Sequence, residues 1–165
     1  MKNNLYLLLF AFVCSFISCH QEKKAHTTEV VSPKKEKSIA SIKKDLEQKG
    51  FQTFDYIDEK SGDTIIMQQY FIAFLKSGPH RNQSKKEADS LQTLHLEHLG
   101  RMYEEGYADI SGPFGDDGDI RGITIYNTPT QEMADSLANM DPMVKAGRLV
   151  IEIHPWWAAK GFPLR

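Results

Sequence analysis

The sequence predicts an α+β fold, an antiparallel sheet with helices packed on one face. Three observations carry this. Stretches rich in β-branched and aromatic residues alternate with helical patterns in the order strand, helix, strand, strand, helix, strand. Both helical patterns open on hydroxyl caps, Ser84 and Thr130, and stop at Gly106 and at the Asp141, Pro142 step. Glycine-rich turns, Gly112, Pro113 and the run from Phe114 to Gly118, separate the two middle strands.

The chain has 165 residues, near the size of one domain, and its 20 basic and 22 acidic residues nearly balance. That balance implies no polyanion field, so nucleic acid is not expected as a partner. The first residues stand apart. Lys2 precedes an apolar run from Leu5 to Ile17, too short for a comfortable membrane span. Both cysteines lie here, and Phe16, Ile17, Ser18, Cys19 resembles a bacterial lipobox. Residues 1–18 are therefore expected to be a lipoprotein signal peptide with Cys19 the lipidated residue; an ordinary signal peptide or short anchor is the alternative. Acylation of Cys19 would leave no thiol chemistry and no disulfide. Residues 19–38, rich in lysine, serine and threonine with little to bury, read as a flexible tether. The expected location is the cell envelope, facing the periplasm.

Residues 39–165 then form a single domain. Ile39 to Lys49 has helical spacing with a glycine stop at Gly50. The stretches FQTFDYI and TIIMQQYFIAFL read as strands joined by the turn DEKSGD, the first being an extra edge strand. After the loop Lys76 to Gln83, Ser84 and Glu87 make a capping-box pattern, opening a helix from about Lys85 to Glu105. A short strand (YADIS), the glycine and aspartate turn, the strand ITIYN, the helix QEMADSLANM and the strand LVIEIHPWW complete the order. Without the N-terminal helix and strand this is the ferredoxin-like split βαβ arrangement, βαββαβ. Its uncovered sheet face is expected to bury against a second copy, giving a homodimer.

The long helix carries the oddest local feature. Leu91, Leu94, His95, His98, Leu99 and Met102 are predicted to share one broad face. A burying face with two imidazoles must supply each with a partner. Both histidines could be satisfied core groups. As a metal pair they lack a third ligand in order, so no metal is expected. Asp116, Asp117 and Asp119 lack the length and closing glutamate of a calcium loop and read as a hairpin turn. At the end of the last strand His154 and Trp156 are candidate pocket residues, although closing the core or the dimer seam would also account for them.

From about residue 64 to 160 the chain resembles the YCII-related proteins. The matching residues are Gly78, Pro79 and Arg81; His95 eleven residues before Gly106; Gly112 and Pro113; Phe114 to Gly118; Gly122; Asp141 and Pro142 before VKAGR; and Ile153 to Trp156. The resemblance implies a ferredoxin-like chain that pairs into a dimeric α+β barrel. It also implies a small cavity where a helix histidine meets the aspartate of the Asp-Pro step, here His95 and Asp141. Family members with assigned chemistry act on small cyclic or aromatic molecules by proton transfer and elimination. The chain departs from some members at Gln92, where they carry arginine, and in its lipobox and tether.

Carried to this chain, the resemblance predicts a membrane-tethered acid–base enzyme for a small cyclic or carbonyl compound, with no cofactor. His95 would take a proton, Asp141 would orient it, and Arg81 would clamp an anionic oxygen. Asp141 could equally cap a backbone amide. A non-catalytic ligand-binding module and a purely structural dimer are the alternative functions.

Overall fold

The structure, a computed structural model, describes residues 38–162 and 164. The stretches read as leader and tether, with Cys19, fall outside them, Ser38 excepted. In chain order the elements are α1 (Ile39–Gln48), β1 (Thr53–Ile57), β2 (Thr64–Ser77), α2 (Lys85–Glu104), β3 (Ala108–Pro113), β4 (Ile120–Tyr126), α3 (Gln131–Ala138), α4 (Pro142–Lys145) and β5 (Leu149–Ala159).

β2, 14 residues long, is the spine of the sheet. Residues 71–76 pair antiparallel with β4 on one edge, and residues 67–77 pair with β5 on the other. β3 pairs with β4. The core order is thus β5-β2-β4-β3, the ferredoxin-like arrangement. Paired on both edges, β2 alternates buried and half-buried residues along most of its length. β1 pairs with residues 64–68 along the same edge as β4, the hairpin expected of FQTFDYI and TIIMQQYFIAFL.

Alternation assigns the two faces. Phe71, Ala73 and Leu75 of β2 and Leu149 of β5 pack with Met102, Ala134, Ala138 and Met143 of the helices into one buried cluster. The intervening residues face away. Ile72 pairs with Ile125 and His154, and Phe74 with Ile123 and Glu152, on a face that no helix covers. Val150 and Trp156 on that face are each 41% exposed.

The local signals for α2 hold. The Ser84 hydroxyl accepts from the Glu87 amide and the Glu87 carboxylate accepts from the Ser84 amide, a complete capping box. Gly106, at φ +77°, takes the left-handed turn that ends the helix. The buried stripe is narrower than expected. His95, His98 and Met102 are buried, but Leu94 is 44% exposed. Leu94 sits about 70° from the centre of the stripe, on the flank the sheet does not reach.

A second expectation is corrected at the Asp-Pro step. The helix of QEMADSLANM ends at Ala138, before the proline, and Asp141 opens a new turn as the N-cap of α4 with Pro142 in its first turn. Proline's fixed φ and missing N–H suit a helix start as well as a helix stop.

Candidate active site

His95 and Asp141, 46 positions apart, meet where α2 packs on α4. The His95 Nδ1 lies 2.5 Å from Asp141 Oδ2, while the other oxygen, Oδ1, accepts the Met143 amide at 2.8 Å. Both side chains are buried, Asp141 at 2% exposure and His95 at 8%. The two readings of Asp141 are therefore both realised: one oxygen caps α4 and the other holds the imidazole. An ionised carboxylate only accepts, so Nδ1 carries the hydrogen, and in the neutral imidazole Nε2 then presents the lone pair. Among the described residues none hydrogen-bonds to Nε2.

The ring lines a cavity of about 350 Å³ between α2 and the helix-facing side of β2, β3 and β4. Leu75, Leu99, Met143 and Leu149 make its apolar walls, and Gln92, Ser111, Arg81, Arg121 and Arg148 its polar ones. Gly122 helps form its floor.

Two glycines bring the arginine-bearing segments together. A Cβ on Gly78 would stand 2.2 Å from the Gly147 carbonyl oxygen. Gly147, at φ +66°, would put a Cβ 2.5 Å from the His80 ring. The loop after β2 therefore seats directly on the turn before β5. The Arg148 carbonyl accepts from the Gly78 amide at 2.9 Å and from Arg81 Nη1 at 3.1 Å, and Arg148 Nη1 donates to Gln83 Oε1 at 2.9 Å.

His98, the second imidazole of α2, does not face this cavity. Arg101 Nη2 donates to its Nδ1 at 2.9 Å, and the ring is 2% exposed, with Nε2 lacking a well-formed partner. Burial holds its pKa below the ordinary histidine value. The charges of Arg101 and His95 act the same way, and Asp141 and the Leu137 carbonyl oppose them. His98 is thus a packed neutral group whose folded pKa is depressed. As pH falls through about 6.5 the unfolded chain takes up this proton first, so stability is full above that value and declines below it. Thermal unfolding of the wild type should drop more between pH 7.5 and pH 5 than that of His98→Gln; equal slopes would show that His98 contributes nothing to acid sensitivity.

Of the other expected site residues, Arg81 lines the cavity, whereas His154 and Trp156 do not. Their parity on β5 puts them on the uncovered face, opposite to Ile151 and Ile153, which pack against the core. His154 bonds Glu152 at 2.8 Å and meets Phe74 edge-on, and Trp156 tilts against Tyr70. Within one chain both lie on the uncovered sheet face, where His154 borders a shallow concavity with Phe74 and Lys76, apart from the cavity that His95 lines. Gln92, Ser111, Arg121 and Arg148 were not anticipated. Arg148 stood in the quoted VKAGR segment and Arg121 follows the aspartate turn, but no local pattern shows that these two segments converge on His95. The aspartate run is the β3–β4 connection, tied by a Gly118 amide bond to Asp116.

No family model matches the chain, and no curated protein does. One solved structure that it resembles is 5-chloro-2-hydroxyhydroquinone dehydrochlorinase (TftG) from Burkholderia phenoliruptrix AC1100, in complex with 2,5-dihydroxybenzoquinone. The two are 22% identical, with 53% of this chain and 92% of that one covered and a TM-score of 0.40. At that identity and TM-score the likeness carries no argument.

Proposed function

We propose that the domain is an acid–base enzyme acting on a small cyclic or carbonyl compound, with His95 as the proton-transferring group. The observation that carries this is the orientation of one ring: Nδ1 is taken by a buried carboxylate while Nε2 is left for the cavity. In the reaction Nε2 takes a proton from a carbon beside a carbonyl. The electron pair of the broken C–H bond moves into the carbonyl, forming an enolate. The enolate is then reprotonated by the imidazolium, or expels a leaving group from the adjacent carbon. Asp141 stabilises the imidazolium while it exists. Ser111 also lines the cavity, but its hydroxyl is paired with Thr124 Oγ1 at 3.1 Å rather than with His95, so it is not set up as an acyl-enzyme nucleophile.

The test is exchange of substrate C–H for deuterium in heavy water, followed by NMR, over a panel of cyclic diketones, hydroxyquinones and keto acids. The wild type is expected to accelerate exchange into at least one of them. A compound that binds in the cavity without exchange above the buffer rate would favour a ligand-binding module instead. In this reading the domain also works as a dimer through the open sheet face and at the end of a lipid tether. The apolar continuity of Ile72, Phe74, Ile123 and Val150 supports the first, and the residues around Cys19 the second. Sedimentation at monomer mass would remove the dimer, and failure of Cys19 to take up labelled palmitate would remove the anchor.

A further inference from the structure

The chain carries a net charge of −2, yet three guanidinium groups and no carboxylate line the cavity. Among the described residues none of the three, Arg81, Arg121 and Arg148, forms a salt bridge. Each is instead held by one N–H: Arg81 on the Arg148 carbonyl, Arg121 on the Gly118 carbonyl at 3.1 Å, and Arg148 on the Gln83 amide oxygen. A guanidinium has five N–H donors, so each keeps several for a ligand while its position is fixed. Like charges gathered on one concavity repel one another, and an anion bound among them relieves that repulsion. The close seating of Gly78 on Gly147 means that the arrangement of Arg81 and Arg148 is built by backbone packing.

We infer that the cavity takes a substrate with a permanent carboxylate, separate from the carbon that yields its proton, and that Arg121 and Arg148 bind that carboxylate with Arg81 adding its charge beside them. This rests on the acid–base reading for the reacting carbon but not for the anion site itself. Guanidinium groups match the planar, two-oxygen geometry of a carboxylate, which they bind through paired N–H bonds. A cavity of about 350 Å³ limits the remainder to a single ring or a short chain. Charge on the ligand also assists the chemistry. An enolate forming beside these arginines is stabilised by the same field.

The experiment is titration calorimetry of the whole protein with salicylate, phthalate, the neutral isostere salicylamide and inorganic phosphate, repeated at two salt concentrations. Salicylate or phthalate is expected to bind at least about tenfold more tightly than salicylamide, and more weakly in high salt. Arg121→Gln, whose guanidinium touches only the Gly118 carbonyl, should weaken the carboxylates about tenfold and leave salicylamide unchanged. Arg148→Gln, checked for fold by circular dichroism, should do the same. Equal affinity for acid and amide, or carboxylate affinity unchanged in both variants, overturns the inference. So does binding of neither carboxylate below about 10 mM. Phosphate binding more tightly than either carboxylate overturns the carboxylate assignment. The two proposals fail separately. Arginine-dependent carboxylate binding with no deuterium exchange would leave the anion site and remove the enzyme. Exchange into neutral ketones with no preference for acids would leave the enzyme and remove the anion site.

Discussion

Replacing His95 by glutamine or Asp141 by asparagine is expected to slow deuterium exchange by about 10²–10⁴-fold, and the double variant is expected to lose little more than either single one. The reason lies in the shared hydrogen bond of 2.5 Å. Glutamine has no lone pair of comparable basicity to take a carbon-bound proton. Asparagine keeps an oxygen for the Met143 amide, so α4 stays capped, but it can turn its NH₂ group toward Nδ1. That reverses the tautomer: Nε2 then carries the hydrogen and has no lone pair to offer. The ¹⁵N shifts of His95 report the tautomer directly, independent of any substrate. Asp141→Ala behaves differently because it removes both acceptors. The Met143 amide and the His95 Nδ1–H are left buried without partners, at a cost of about 3 kcal/mol. A cycle in which the single losses add in full, with Asp141→Asn retaining the wild-type tautomer, would show that the two residues do not act as a unit.

Gly78→Ala is expected to lower stability by about 1–3 kcal/mol and catalytic or binding activity by as much as about 10²-fold. The added methyl group would meet backbone on both sides of the contact, the Gly147 carbonyl oxygen at 2.2 Å and the Arg148 carbonyl carbon at 2.7 Å. Backbone cannot rotate away as a side-chain tip can, so the loop carrying Arg81 must lift from the turn carrying Arg148. The bonds that the Arg148 carbonyl accepts from Gly78 and Arg81 lengthen together. Gly100→Ala is the matched comparison. Gly100 lies in α2, a Cβ there meets nothing within 4 Å, and the substitution should stabilise the helix by about 0.5–1 kcal/mol. Thermal unfolding of the two variants checks the opposite signs. If Gly78→Ala melts with the wild type and binds carboxylates as tightly, the seating of the loop does not hold the arginines in place.

The element order, the capping box of Ser84 and Glu87, the end of α2 at Gly106 and the β1–β2 hairpin were all legible in the chain, because each depends on residues a few positions apart. The partnership of His95 with Asp141 was legible only through the resemblance to a family, since composition and spacing say nothing about two residues 46 positions apart. The Asp-Pro step shows how far local chemistry reaches: it marks a helix boundary, but the stop and the start share the same residues. β5 shows the same limit on the sheet. Its alternation separates Ile151 and Ile153 from His154 and Trp156, and only the packing of helices against the first pair fixes which face is the core. The cationic wall was decided wholly by tertiary structure. Arg81 in the loop after β2, Arg121 at the start of β4 and Arg148 in the turn before β5 come from three segments that local propensity leaves independent. They converge because β2 pairs with β4 on one edge and β5 on the other, and because Gly78 and Gly147 lack the side chains that would hold their segments apart.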